Sequence, residues 1–319
     1  MIGVVQVDEN GLQPQAPKPI MNPYDIAFLG HMCYDEVVPF NGERTVRPGS
    51  AVLCGAMAAA RATEAVAGKL IAAVVKMSPA DEPILQPMRD AGIDTILIPA
   101  RETSRMEVIH PSADVDDRRM FLRQNAGHIT ADEVPPIEAA HLHLAGISDQ
   151  EFSLELICEL VERKYNLSVD MQSFVRQVDP DSGEVSFRNV MLKRPIVGMV
   201  RKVKLDVVEA KLLTGEDDLE QAALAFERWG CPEVVITESK GVLARVSGRT
   251  FYERFTNRSS IGRTGRGDTT FAAYLAWRMD HDPAESLKFA AALVSIKMER
   301  PGPFCGTMDE VMKRMRNEE

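Results

Sequence analysis

Residues 260–275 read SIGRTGRGDTTFAAYL, a glycine-bearing loop that runs straight into an apolar helical pattern. Glycine lets the backbone turn tightly and approach a ligand closely. The first N–H groups of the helix that follows have no intrahelical acceptors and lie at the positive end of its dipole. We therefore predict an anion site at this loop, suited to a phosphate group.

Two charged residues of this loop each have two interpretations. Asp268 stands at the predicted helix start, where its carboxylate can either cap the helix or accept a proton from a bound hydroxyl. Arg266 carries a planar cation that can bind phosphate oxygens through two nitrogens or pair with a neighbouring carboxylate. The residues alone leave both questions open.

The pattern around this loop predicts an α/β fold, because short apolar runs alternate with helical periodicity after Pro23. Helices are expected near 84–90, over 152–165, before Val234 and from Asp268 onward. Strands are expected at 25–30, 70–75, 95–98, 140–146, 167–170 and 234–237. This alternation is typical of a mainly parallel sheet covered by helices.

Two stretches depart from the alternation. Residues 37–52 and 101–124 predict a strand pair and a hairpin, which together would form a small antiparallel lid sheet. A lid of this kind can exclude water from a reaction, although two surface hairpins without that role would have the same pattern. Residues 177–195 read as an insertion with a turn and have no functional interpretation. Residues 1–23 read as an extended arm, and we assign 24–319 to a single domain.

Composition excludes several classes of protein. The chain has 319 residues, 45% of them hydrophobic, and a formal net charge of −10, which argues against nucleic-acid binding. No apolar run approaches the ~20 residues that span a bilayer, and no signal peptide is evident. The five cysteines are far apart and form no C-x-x-C pair, which disfavours a disulfide scaffold or a zinc site. We expect a cytoplasmic protein without membrane or nucleic-acid partners.

Residues 262–268, GRTGRGD, resemble the C-terminal signature D-T-x-G-A-G-D of the ribokinase (PfkB) family of ATP-dependent sugar and nucleoside kinases. Gly262 replaces the leading Asp and Arg266 the usual Ala. Gly265, Gly267 and Asp268 match in spacing, and Thr264 stands one place after the Thr of the motif. Other motifs follow in the family's order over roughly 25–304. The resemblance implies a ribokinase-like three-layer α/β/α fold with a small β lid, with ATP and Mg²⁺ as cofactors.

The acceptor site is assigned by further resemblance. Residues 30–35, GHMCYD, are similar to the family's G-x-x-x-x-D, whose Asp holds sugar hydroxyls, which implies that role for Asp35. Residues 48–51, PGSA, resemble the G-G-x-x-x-N element and contribute Gly49 and Ser50, although the usual Asn is missing. The mixed charges of the lid candidates favour a polyhydroxylated or partly acidic acceptor; these candidates are Arg105, Glu107, Arg119 and Arg123.

The donor site is assigned in the same way. Residues 204–215, KLDVVEAKLLTG, look like N-x-x-E-A-x-x-L-x-G, so Asp206 and Glu209 would order waters around the Mg²⁺ and phosphates of ATP. Without the resemblance these two are an ordinary carboxylate pair on a helix face. Residues 237–241, TESKG, are similar to a shortened T-x-G-x-x-G and assign Thr237 and Gly241, with Thr264, to ATP. The change at Gly262 leaves the family's potassium site open.

The resemblance implies a mechanism in which Asp268 is the general base. Charge on the transferred phosphoryl group would be stabilised by the backbone N–H groups of Gly265, Arg266 and Gly267. We expect the acceptor to be a sugar, a sugar acid or an inositol-like cyclitol. Two alternatives are a nucleoside kinase and a non-catalytic nucleotide or metabolite sensor on the same fold. In this family the lid strands of two subunits often pair with each other, which implies that a homodimer can form through them.

Overall fold

The computed structural model describes residues 24–63, 69–112 and 117–316, so the predicted arm, residues 1–23, lies outside the described residues. Its strands are β1 (Tyr24–His31), β2 (Cys33–Val38), β3 (Thr45–Gly49), β4 (Ile71–Met77), β5 (Asp94–Pro99), β6 (Ser104–Ile109), β7 (Arg119–Gln124), β8 (Ala139–Leu144), β9 (Leu167–Asp170), β10 (Arg176–Val178), β11 (Val185–Phe187), β12 (Lys202–Asp206), β13 (Glu233–Thr237), β14 (Gly241–Val246) and β15 (Arg249–Arg254). Its helices are α1 (Ala51–Thr63), α2 (Gln86–Asp90), α3 (Leu154–Glu162), α4 (Gln172–Val175), α5 (Lys193–Met199), α6 (Val207–Thr214), α7 (Leu219–Arg228), α8 (Arg266–Trp277), α9 (Pro283–Met298) and α10 (Met308–Arg316), with a 3-10 helix over Pro79–Leu85.

The main sheet confirms the predicted parallel architecture. Within the described ranges it has nine strands, in the order β15-β14-β13-β12-β9-β8-β1-β4-β5. Every pair from β13 to β5 is parallel, and β14 and β15 add an antiparallel hairpin at one edge. Parallel strands are covered on both faces and therefore read as continuous apolar runs. All seven residues of β4, IAAVVKM, are buried.

Helices cover both faces of this sheet. On β1, Ile26 and Phe28 belong to the core that contains α1, α8 and α9, whereas Ala27 and Leu29 belong to the core that contains α3, α6 and α7. The alternation follows from the opposite directions of successive side chains along a strand. The fold is therefore the expected three-layer α/β/α arrangement. In the described part of the chain, no helix is both long and apolar enough to cross a membrane.

The second sheet differs from the prediction in its pairing and its bounds. Its order is β3-β2-β6-β7, and β2 pairs with β6 in parallel, so the lid sheet is mixed rather than antiparallel. The reason is that β1 and β5 run parallel in the main sheet and continue into β2 and β6 in the same direction. The lid begins at Cys33 instead of residue 37, and residues 51–52 belong to α1.

The predicted insertion at 177–195 has a place beside the lid. Its hairpin, β10–β11, lies along the outer edge of β7, where Leu122 N donates to Gly183 O at 2.8 Å and Phe121 forms a bridge with Glu184. An ion pair between Arg119 and Glu184, at 2.9 Å, joins the same edges. The hairpin therefore covers a strand edge that would otherwise expose unpaired backbone groups.

Candidate active site

The site lies where the carboxyl ends of β9, β12 and β13 meet the start of α8. The parallel register places Asp170 beside Lys204, and Asp206 beside Thr237. Ligands of open α/β sheets bind at this edge because the connecting loops and helix N-termini converge there. The functional side chains predicted from distant motifs are therefore brought together by strand register.

The glycine loop is closely packed at two positions. Gly265 has a φ of +75°, and a Cβ there would lie 2.5 Å from Cys54 Sγ. A Cβ at Gly267 would lie 2.8 Å from Lys204 Cε. Glycine is thus needed at 265 for its conformation and at 267 for the approach of a buried lysine. Helix α8 begins at Arg266, two residues before the predicted start at Asp268.

The predicted anion hole has two available backbone donors among the described residues instead of the three predicted. Arg266 N donates to Arg263 O at 3.0 Å, so this N–H closes the turn before α8 and does not face a ligand. Within the described part of the chain, no backbone carbonyl accepts the N–H of Gly265 or Gly267. These two N–H groups, at the positive end of the α8 dipole, are therefore the donors that can stabilise an anion.

Asp268 belongs to a buried group of charges. Lys204 Nζ lies 2.6 Å from Asp170 Oδ2 and 3.4 Å from Asp268 Oδ1. Burial favours the neutral form of Asp268, but the charges of Lys204 and Arg176 outweigh it and hold the pKa of Asp268 below its ordinary value. Burial, with Glu209 and Asp268 nearby, raises the pKa of Asp170 well above its ordinary value despite Lys204. The lowered pKa of Asp268 favours its ionised form, which is the form that a general base requires.

Asp35, on β2, faces this group from the lid. Burial and the negative charge of Asp268 raise the pKa of Asp35 to about 6, and Arg176 opposes the shift. A Cβ at Gly49 would lie 2.1 Å from Asp35 Oδ2, so the carboxylate rests directly on the glycine backbone. Two predicted residues, Asp35 and Gly49, therefore meet. Ser50 instead caps α1, since its Oγ accepts from Leu53 N at 3.0 Å.

Arg176 is a candidate site residue that no sequence motif indicates. Its charge favours ionisation of three carboxylates, those of Asp35, Glu209 and Asp268. Its Nε is buried and has no hydrogen-bond partner among the described residues. Arg176 directly precedes the stretch interpreted as an insertion, and no motif marked it. A guanidinium with a buried, unpartnered N–H can donate to a phosphate oxygen.

Asp206 and Glu209 form a reciprocal cap at the start of α6. Asp206 Oδ1 accepts from Glu209 N at 2.9 Å, and Glu209 Oε2 accepts from Asp206 N at 2.8 Å. The other oxygen, Glu209 Oε1, is buried and has no partner among the described residues. Burial, followed by the charge of Asp206, raises the pKa of Glu209 to about 7. An unpartnered carboxylate oxygen fits the water shell of a Mg²⁺ ion.

The other predicted donor residues have different surroundings. Thr237 is buried, and its Oγ1 lies 3.6 Å from the position a Cβ would take on Gly267, so it lies against the loop. Thr264 is in the loop with an exposed side chain. Gly241 begins β14, and a Cβ there would lie 2.4 Å from Glu253 O. The structure thus gives Gly241 a packing role in the β14–β15 hairpin.

The lid does not bring its four predicted acceptor residues to Asp35; they are Arg105, Glu107, Arg119 and Arg123, and all lie on the other face of the lid sheet. Asp35 is paired with Met106, so Arg105 and Glu107 on either side of Met106 lie on the opposite face. On that face Glu107 pairs with Arg123 at 2.6 Å. Glu107 also pairs with Arg44 at 2.9 Å, and Arg105 contacts Glu36 at 3.5 Å. The spacing in the sequence identified lid strands, but the face depends on a cross-strand register that sequence alone does not give.

Residues 21–306 match the pfkB family of carbohydrate kinases. Over 264 residues the chain is 28% identical to a cytidine kinase of Thermococcus kodakarensis, covering 79% of this chain and 87% of that protein. Among solved structures, a sulfate complex of a pyrophosphate-dependent kinase in the ribokinase family superposes with a TM-score of 0.81 at 29% identity, covering 91% of this chain and 99% of the other. A kinase of the same description, complexed with a pyrophosphate analog and myo-inositol, gives 0.78 at 27%, covering 88% and 97%. Arabidopsis thaliana ribokinase, with ribose and ATP, shares the fold at a TM-score of 0.71 and 15% identity, covering 92% and 99%. The chain belongs to the pfkB family of carbohydrate kinases, phosphotransferases that act on hydroxyl groups.

Proposed function

We propose that the chain transfers a phosphoryl group from ATP to a hydroxyl of a small polyhydroxylated metabolite, with an inositol-like cyclitol as the acceptor class. The observation that carries the proposal is the placement of two carboxylates, Asp268 at the start of α8 and Asp35 on the lid, whose pKa values are shifted in opposite directions. Asp268 is held ionised by Lys204, whereas Asp35 faces it from the lid. One carboxylate can then orient the acceptor while the other takes its proton.

In the proposed step, an acceptor hydroxyl held by Asp35 loses its proton to Asp268. The acceptor oxygen forms a bond to the terminal phosphorus, and the bond from that phosphorus to the bridging oxygen breaks, so that the leaving phosphate departs with the electron pair. The N–H groups of Gly265 and Gly267 stabilise the negative charge on the equatorial oxygens. Positioning and charge stabilisation account for most catalysis in phosphoryl transfer.

Mg²⁺ fits this arrangement through Glu209, whose Oε1 has no protein partner among the described residues. When bound, the metal neutralises charge on the donor phosphates. Glu209 and Asp206 would hold its water shell and not the ion itself. A cation next to Glu209 would lower its pKa from about 7 and so favour its ionised form.

The acceptor class is supported by both the site and a relative. On the lid, Met106 and Leu122 share the face of Asp35, which leaves an apolar wall beside the hydroxyl-binding carboxylate. Such a wall suits the CH face of a saturated ring. A relative at 27% identity was solved with myo-inositol. A nucleoside is the second acceptor class, because the chain is 28% identical to a cytidine kinase.

A second donor, pyrophosphate, is favoured by a specific observation. Arg266 stands in the glycine loop where the family motif has Ala, and the charge of Arg176 acts on three carboxylates of the site. A donor without a nucleoside must be held by its phosphates alone, and arginine holds phosphate through two parallel bonds. Two solved relatives at 27–29% identity are pyrophosphate-dependent.

The experiment crosses both donors with a panel of myo-inositol, ribose, fructose and cytidine, and detects phosphorylated product by ³¹P NMR. Turnover of myo-inositol above the other acceptors is expected, and Asp268→Asn should lower it by about 10²–10⁴-fold. Asp217→Asn is the control, because the Asp217 side chain is 82% exposed. Turnover restricted to cytidine would replace the cyclitol with a nucleoside. Binding of a donor without product from any acceptor would favour the alternative of a non-catalytic nucleotide or metabolite sensor.

A further inference from the structure

Lys297 is a buried cation beneath the glycine loop. It lies in the last turn of α9 and is 2% exposed. Its Nζ donates to the carbonyl oxygens of Gly262 and Thr264. Among the described residues, no carboxylate oxygen lies within ion-pair distance of Nζ. A buried charge must be compensated, and here backbone carbonyls provide the compensation.

These carbonyl contacts determine which way the loop's N–H groups point. In a trans peptide the C=O and the N–H point in opposite directions, and the described residues have no cis peptide. The peptide that gives Lys297 the Thr264 carbonyl also carries the N–H of Gly265. That N–H is therefore directed away from Lys297, toward the side on which an anion would lie. A Cβ at Gly265 would be 3.9 Å from Nζ, which places the ammonium directly below the loop.

Gly262 is the second residue whose carbonyl accepts from Lys297, and we call the carbonyls of Gly262 and Thr264 the carbonyl cage. Its N donates to Met298 O at 2.8 Å, which ties the loop to the end of α9. A Cβ at this position would lie 1.9 Å from Arg300 O and 2.8 Å from Lys297 O. No side chain is accommodated there, so the carboxylate of the family motif has no room. A potassium ion does not fit, because the Lys297 ammonium already occupies the two loop carbonyls.

We propose that Lys297 is a built-in cation that takes the place of a monovalent metal ion and acts as a positioning residue for the Gly265 N–H. Its contribution to the rate rests on the proposed function, whereas its occupation of the carbonyl cage does not. The enzyme should therefore work equally well without potassium. Removing the ammonium should create a site that an added cation can fill.

The test compares wild type with Lys297→Ala and Lys297→Met in potassium chloride and in choline chloride. Wild-type turnover and melting temperature should be the same in both salts. In choline, Lys297→Ala should lose on the order of 10²-fold in kcat, the scale of a displaced catalytic group. Potassium should restore part of that loss and raise the melting temperature of this variant. Lys297→Met fills the cage with an apolar chain, so potassium should not rescue it. Lys288→Ala, an exposed lysine on the same helix, is the control.

A second readout needs no turnover. Crystals soaked in rubidium chloride should show anomalous scattering between the carbonyls of Gly262 and Thr264 in Lys297→Ala and none there in wild type. Rubidium at that point in wild type, or wild-type turnover that rises with potassium, would overturn the proposal. So would full activity of Lys297→Ala in choline. If no acceptor is turned over, the proposed function fails, but the rubidium and melting results still decide the role of Lys297. If Lys297→Ala does not fold, the wild-type measurements decide it.

Discussion

Lys204→Met removes the cation that links Asp170 to Asp268. Lys204 is almost fully buried and its Nζ lies 2.6 Å from one carboxylate and 3.4 Å from the other. Breaking a buried ion pair by removing one partner costs about 3–5 kcal/mol, because the remaining charge stays buried. At ~2–4 °C per kcal/mol, the melting temperature should fall by about 10 °C.

The same substitution should change the pH dependence of turnover. Lys204 is the largest influence that lowers the pKa of Asp268 against the effect of burial. Without it, burial dominates, the pKa of Asp268 rises and the base is protonated up to a higher pH. The ascending limb of the kcat profile should therefore move to higher pH. The measurement is kcat over the acidic range, together with urea unfolding monitored by fluorescence.

Two further variants separate stability from chemistry. Lys202→Met lies on the same strand and breaks the pair with Glu233 at 3.0 Å, away from the site, so it should lower stability but leave the ascending limb in place. Lys204→Met with Asp170→Asn removes the buried acid as well and should recover part of the lost stability. An unchanged limb in Lys204→Met would refute the account of how Asp268 is kept ionised. A free energy of unfolding of Lys204→Met equal to that of wild type would refute the expected loss of stability.

Three more predictions follow from the site. Asp35→Asn should raise the KM for the acceptor about tenfold or more, the loss of a hydrogen bond to a charged group, whereas Arg123→Ala, on the other lid face, should leave KM unchanged in the same steady-state assay. Gly267→Ala should lower kcat without unfolding the protein, because its Cβ would lie 2.8 Å from Lys204 Cε and would push that side chain aside. Circular dichroism checks that the fold is kept. Because the pKa of Asp35 is about 6, acceptor KM should fall as the pH rises through 6 and the carboxylate ionises, as a KM–pH series would record.

The sequence was sufficient for the fold because that information is local. Continuous apolar runs such as β4 indicate a strand buried on both faces, and the loop before α8 carries its own conformational requirements in Gly265 and Gly267. Both features depend on residues that are neighbours in the chain. The layered architecture and the loop were therefore predictable.

The pairings that complete the site are not local. Lys204 and Asp170 are 34 residues apart and meet only through the register of β9 and β12. Arg176 lies outside any motif, and its role depends on three carboxylates from separate elements. The face on which Arg105 and Glu107 lie follows from pairing with β2, which the sequence does not specify.

Arg176 is also the first residue of β10, the strand whose hairpin is joined to the lid at β7. The arginine whose charge acts on the site carboxylates is thus joined to the outer lid strand, β7, through the β10–β11 hairpin. If the lid swings toward the main sheet, either this arginine travels with it or the hairpin must bend. Substrate capture and charge placement would then be coupled mechanically, so that an open enzyme would also be an electrostatically incomplete one.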